Sequence, residues 1–165
     1  MLPTFVRRIL SNADPTRMLR YKVVPYDLFR IQNGRKTRLR DYDSEMSKGR
    51  HSYDVRLRED GLVHPVEGEI YVAPNGSSCR PMGHTVKDVV DKSTGRSVVV
   101  YRIPTGTALP PSLTIIHEHT DHHSIQCAKP MTLPELNSTI TAFLEQQAEL
   151  MTTADFWARY PLIGP

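Results

Sequence analysis

Apolar residues in this chain come mostly in short clusters separated by polar turns. The strongest is Val98 to Ile103, where β-branched and aromatic side chains suit a pleated, half-buried strand. Tyr26 to Ile31 alternates polar and apolar positions and predicts another strand, turned by Gln32-Asn33-Gly34. Ile70 to Ala73 predicts a short strand broken by Pro74-Asn75-Gly76, and a polar cluster, Ser77 to Cys79, follows. Leu113 to Ile116 and Ser124 to Cys127 predict two more strands, and Asp54 to Leu62 a weak strand or loop.

The helical period is clearest after Thr132, where Leu136, Ile140, Phe143, Leu144, Ala148 and Met151 recur on one face. Pro134 fits the first turn of that helix, because its missing N–H has no intrahelical partner there. Shorter helices are expected at Phe5 to Leu10, ended by Ser11 to Pro15, and at His84 to Asp91. Thr37 to Ser52 is polar, charged and poor in large aliphatics, which predicts loop and irregular helix. Phe156, Trp157, Tyr160 and Leu162 form an apolar tail expected to dock on the core.

Strands precede one long helix and do not alternate with helices, so a parallel βαβ fold is not expected. The order predicts an α+β domain with antiparallel pairing over residues 23–165, preceded by a basic segment, 1–22, read as helical. A chain of 165 residues can bury a real core, since a domain of this size hides roughly 70% of the surface its unfolded chain exposes.

Charge changes this picture little. The net charge is +3, from 21 basic and 18 acidic residues. So small an excess neither argues for nucleic acid nor excludes it. Arg35, Lys36, Arg38 and Arg40 lie close together, with Arg50, Arg56 and Arg58 following, and read as a solvated loop or as a patch for a polyanion. The N-terminus is Arg-rich and acid-poor in the manner of a mitochondrial presequence, but Pro3 and the Asn12 to Pro15 turn limit any helix there to about two turns. Two cysteines, Cys79 and Cys127, make no disulfide framework, so a reducing, cytoplasmic setting is expected. No apolar run reaches the ~18 residues of a membrane span.

Two kinds of chemistry compete between Tyr101 and Met131. His117, His119, Asp121 and His122 have the H-x-H-x-D-H spacing of the metallo-β-lactamase superfamily, with Glu118 and His123 adding donors. A two-metal hydrolase of that kind needs further histidines downstream, yet none follows His123, Asp155 is the last aspartate, and 42 residues remain. No resident metal is expected, and metal-dependent hydrolysis stands as the alternative reading.

The flanking residues carry a different likeness. Tyr101-Arg102-Ile103-Pro104-Thr105-Gly106-Thr107, then Pro110-Pro111-Ser112-Leu113, then His122 through Ala128-Lys129-Pro130-Met131 and the helix after it, resemble bacterial type VI secretion effector toxins of the "type six exported" number two family. Weaker matches are Leu28-Phe29-Arg30, and Tyr71-Val72-Ala73-Pro74 leading to Gly76-Ser77-Ser78. The resemblance covers about two thirds of the chain. It implies an ADP-ribosyltransferase-like fold with two short antiparallel sheets around an NAD cleft. It also implies NAD as substrate, a macromolecular acceptor and an immunity protein.

ADP-ribosyl transfer breaks the nicotinamide–ribose bond through an oxocarbenium-like transition state, as in glycoside hydrolysis. Arg30 suits the phosphates or ribose, since a guanidinium fork fixes oxygen geometry. Tyr71, Gly76, Ser77 and Ser78 are expected to shape the cofactor pocket, with Ser78 also placed among the catalytic residues. The resemblance puts His122 at the ribose or in acid–base work, for which a histidine's ordinary titration near neutrality is apt. For the catalytic carboxylate of such transferases the candidates are Gln126, which hydrogen-bonds but carries no charge, and Glu118, which is charged but is read as preceding the strand. A non-enzymatic toxin or binding module on the same fold is the remaining alternative.

Overall fold

A computed structural model describes residues 16–162. The helix expected at Phe5 to Leu10 lies outside the described residues. Within the basic segment, Leu19–Tyr21 is a strand, β1.

The described chain continues through β2 (Leu28–Asn33), α1 (Tyr42–Ser47), β3 (Gly76–Pro81), α2 (His84–Lys92), β4 (Val98–Ile103), β5 (Leu113–His119), β6 (His122–Cys127), α3 (Leu133–Gln147), β7 (Glu149–Thr152) and α4 (Thr153–Arg159). The mixed α+β class is as expected, but the two sheets are continuous. One sheet of seven strands runs β1-β5-β6-β3-β2-β4-β7, and these strand pairings are all antiparallel.

β3 makes the join. Its residues Gly76 to Cys79 pair with β6, while Arg80 and Pro81 pair with β2. The β2–β3 ladder therefore stops after two residue pairs, Leu28↔Pro81 and Phe29↔Arg80, and the strands diverge beyond it. By contrast, β2 stays in register with β4 over all six residues, Leu28↔Ile103 to Asn33↔Val98.

Strand alternation sorts the side chains onto two faces. On one face, Leu28, Cys79, Tyr101, Ile103, Leu113, Ile115, Ile125 and Cys127 pack against Leu136, Ile140, Phe143 and Leu144 of α3. Each large aliphatic or aromatic side chain buried this way contributes about 1.5–3 kcal/mol relative to exposure. A capping box starts α3: the Thr132 hydroxyl accepts from the Glu135 N–H, and the Glu135 carboxylate accepts from the Thr132 N–H. The opposite face carries a second cluster of Phe29, Val86, Val90, Val100, Met151 and Phe156, held by α2 and α4. The apolar tail docks through Phe156, which is fully buried and in ring contact with Phe29 and Tyr160, whereas Leu162 is exposed.

Three sequence expectations change. Met151 keeps the helical spacing but sits in β7, because Ala148 turns extended (ψ 153°) and ends α3. Ile70 to Ala73 makes only one bridge, Ile70 to Arg17, and Val72 is 84% exposed. Ser77 to Cys79, read as a polar cluster after a turn, belongs to the half of β3 that pairs with β6. Among the described residues no helix is long and apolar enough to cross a membrane.

Candidate active site

The β3–β6 pairing sets the site. Gly76 lies opposite Gln126 and Ser78 opposite Ser124, so these four share the face that α3 does not cover. Gly76 has no room for a side chain: a Cβ there would lie 2.2 Å from the Ile125 carbonyl oxygen. That close approach draws β3 onto β6. Ser77 pairs with Ile125 and points to the other face. It is fully buried, and its hydroxyl has no hydrogen-bond partner among the described residues. Ser77, expected to bind cofactor, therefore does not share the surface of Ser78.

Glu118 does not precede the strand; it belongs to β5. His117 pairs with His123 and His119 with His122, which leaves Glu118 as the extra residue of a bulge. A bulge disrupts alternation and re-aims side chains. Glu118 is 3% exposed, and its carboxylate accepts from three donors: His122 Nδ1 at 2.5 Å, Ser124 Oγ at 2.7 Å and Gln126 Nε2 at 2.9 Å. Gln126 is 1% exposed and in turn accepts from Asn75 Nδ2 through its amide oxygen. Expected among the catalytic residues, Gln126 is thus enclosed behind Glu118 and presents no surface to a substrate.

On the open side of Glu118, Ser78 Oγ lies 3.1 Å from His122 Nε2. With the carboxylate accepting at Nδ1, the neutral imidazole carries its proton there, and Nε2 accepts from the serine hydroxyl. Ser78, His122 and Glu118 form a hydroxyl–imidazole–carboxylate relay like those that activate nucleophiles on unrelated folds.

Arg30 reaches Ser78 from the other face of the sheet, that of Leu28 and Tyr101. Where the β2–β3 ladder has stopped, its Nη1 donates to the Ser78 carbonyl at 3.1 Å and its Nε to Gln32 Oε1 at 3.2 Å. Burial pulls its pKa below the usual arginine value, yet a guanidinium stays charged in proteins. No carboxylate among the described residues lies within ion-pair distance of it. A half-buried cation among neutral acceptors, with donors left over, is suited to an anionic ligand. Beside it, a cleft of about 150 Å³ is lined by Phe29, Arg30, Ile31, Ser78, Arg80 and Val86, among others. A groove of about 550 Å³ along α3 has no titratable group in its lining.

Tyr71 joins from a loop. Its ring meets the His119 ring edge-on at 4.7 Å, and His119 stacks on His122 at 5.1 Å. Of the residues expected at the site, Tyr71, Gly76, Ser78, His122 and Gln126 form one contiguous set. Arg30 meets it only at the Ser78 carbonyl, because pairing with Tyr101 and alternation with Leu28 put its side chain on the α3 face, and Ser77 also stands apart.

The hydrolase motif does not converge. His117 stacks on His123 at 4.3 Å and contacts the Thr120 carbonyl oxygen, while Asp121 lies 3.5 Å from Arg80. The basic stretch is largely spent on partners: Arg40 forks onto Asp54, Arg50 faces Glu45, and Arg56 lies over the Tyr42 ring. Cys79 and Cys127 are free and buried, and burial pushes their thiols up to about 12 and about 11. Neither is a thiolate nucleophile near neutral pH.

His123 gives a stability prediction. Its Nδ1 donates to the Asp121 carbonyl, and its Nε2 accepts from Tyr26 Oη at 2.6 Å, so it is held neutral. Burial lowers its pKa from 6.5 to about 4. The unfolded chain takes up that proton near pH 6.5 and the folded chain only near pH 4, so stability falls as pH drops through this window. One such group contributes a slope of at most about 1.4 kcal/mol per pH unit. Urea midpoints measured from pH 7 to pH 4 should fall for the wild type and flatten in His123→Phe.

No curated protein and no solved structure matches the chain. A family model described as the Tse2 ADP-ribosyltransferase toxin matches residues 26–156. That span contains the whole sheet from β2 to β7 and every residue of the relay. The chain belongs to the Tse2 ADP-ribosyltransferase toxin family.

Proposed function

We propose that the chain is an NAD-dependent toxin that transfers ADP-ribose from NAD to a macromolecular acceptor. The observation that carries this reading is the Ser78–His122–Glu118 relay, with the Arg30 guanidinium, which has no carboxylate partner among the described residues, held at the Ser78 carbonyl.

In the proposed reaction Arg30 holds the diphosphate. The cleft beside it is well below the ~300–1,000 Å³ of sites that engulf a drug-sized ligand. It accepts the nicotinamide ring, while the rest of NAD lies along the open surface. The bond from the ribose C1′ to the nicotinamide nitrogen breaks, and its electron pair leaves with nicotinamide. The acceptor's nucleophile bonds to C1′, and its proton passes to His122 Nε2 directly or through Ser78 Oγ. Glu118 favours the resulting imidazolium. Gln126 and Ser124 hold Glu118 in place. The same reading places the toxin's action in the cytoplasm of a recipient cell after delivery, with an immunity protein protecting the producer.

Nicotinamide release from NAD, measured with lysate of a sensitive bacterium as acceptor source, tests the reading. Arg30→Ala should raise the KM for NAD roughly 30-fold, the loss of about 2 kcal/mol expected for a hydrogen-bonded ion pair. No release by the folded wild type would favour a binding module without turnover.

A further inference from the structure

The transferase chemistry leaves one motif unexplained, the dense histidines at the β5–β6 turn. Glu118, His119 and His122 each offer a ligand atom, and these atoms all lie within 4.8 Å of one another. Regular alternation would send the side chains of Glu118 and His119 to opposite faces. The bulge at Glu118 removes that restriction, and the two-residue turn Thr120-Asp121 brings His122 back beside them.

We propose that Glu118, His119 and His122 bind a zinc ion, and that this ion shuts the relay. Two imidazoles and a carboxylate are a standard zinc donor set, with a fourth position left to water. The supporting shell is present. Glu118 Oε1 is fixed by Ser124 Oγ and Gln126 Nε2, which leaves Oε2 as the metal-facing oxygen. Such outer hydrogen bonds orient metal-binding carboxylates. His119 is exposed, stacked on His122 at 5.1 Å and backed by the Tyr71 ring, so its side chain is free to move in, while the 2.5 Å contact between His122 and Glu118 opens to the roughly 3.3 Å that separates two ligands of a tetrahedral zinc.

The inhibitory effect follows from counting protons. Without metal, His122 holds its proton on Nδ1, towards Glu118, and its lone pair on Nε2, towards Ser78. An ion shared with Glu118 takes the Nδ1 lone pair. The ring proton must then sit on Nε2, and a protonated Nε2 donates to Ser78 and accepts nothing. No proton is lost from the ring, but the base is blocked. Metal binding itself is independent of the proposed transferase function; only the inhibition rests on that reading.

The test uses the untagged full chain and zinc chloride. Calorimetry should give one site, weakened at least tenfold in His119→Ala and unaltered in His117→Ala. Long-range ¹H–¹⁵N spectra of the imidazoles should show the His122 proton moving from Nδ1 to Nε2 as zinc is added. Nicotinamide release by the wild type should fall with zinc and recover with EDTA, whereas His119→Ala stays active and ignores zinc. Equal zinc affinity in His119→Ala and wild type, or zinc binding that leaves the His122 tautomer unchanged, overturns the proposal. The calorimetric and spectroscopic readouts decide it even for a chain that releases no nicotinamide.

Discussion

His122→Ala is expected to lower the rate of nicotinamide release by about a thousandfold, within the 10²–10⁴ range contributed by a positioned acid–base group. His122 bridges an open hydroxyl and a buried carboxylate, with Ser78 Oγ at 3.1 Å and Glu118 at 2.5 Å. Its side chain is only 16% exposed and is the partner of buried Glu118, so truncation also costs stability. Turnover is therefore compared at a temperature where calorimetry shows both proteins folded. KM for NAD should change little, because the phosphate contact is assigned to Arg30. That split separates lost chemistry from lost binding. Ser78→Ala should fall between His122→Ala and wild type, because a water molecule can replace the hydroxyl as a proton carrier. His117→Ala, on the opposite face beside His123, should leave turnover intact. Growth arrest in a sensitive host offers the same ranking without purified acceptor. Wild-type turnover in His122→Ala would remove the relay from the mechanism.

Glu118→Ala should be the most damaging single change to the fold around the site. It strips the acceptor from three donors, His122 Nδ1, Ser124 Oγ and Gln126 Nε2, and opens a void under the β5–β6 turn. Each buried donor left unsatisfied costs about 1–3 kcal/mol. Water reaching the void offsets part of this, so a net loss of about 3 kcal/mol is expected. For a chain of this length that corresponds to a fall in Tm of about 6–12 °C. Glu118→Gln distinguishes positioning from scaffolding. The amide keeps the shape and one accepting oxygen, but its NH₂ cannot accept the His122 proton. The ring should adopt the other tautomer, with turnover down at least a hundredfold and Tm lowered less than in Glu118→Ala. Calorimetric unfolding and nicotinamide release on the same samples measure both effects. Full activity in Glu118→Gln would leave the residue a purely structural role.

Local sequence foretold the elements whose signals are local. Val98 to Ile103 reads as strand because its β-branched run fits a pleated surface wherever it packs, and it is β4. The helix after Thr132 reads from its apolar period, and its capping box needs only residues 132 and 135. Elements that depend on distant partners were misread. Gly76–Pro81 looks like turn chemistry, and only pairing with β6 and β2 makes it β3. Ile70 to Ala73 has a strand's residues but a single bridging partner, so it stays outside the sheet. Met151 continues a helical spacing that the backbone has already abandoned at Ala148.

The same division holds at the site. Residue types and order marked Arg30, Ser78 and His122 as candidates, and the family they indicated is the one to which the chain belongs. Charge and cysteine content set aside a nucleic-acid protein or a disulfide scaffold as the leading reading. The place of the carboxylate was not visible, since Glu118 reaches His122 only because a bulge breaks the alternation of β5. Ser77 and Ser78 are equivalent as letters, and the register against β6 alone turns one into the core and the other towards the imidazole. Side-chain chemistry is a property of each residue, whereas convergence across 44 positions, from 78 to 122, is a property of strand pairing, which no local window contains.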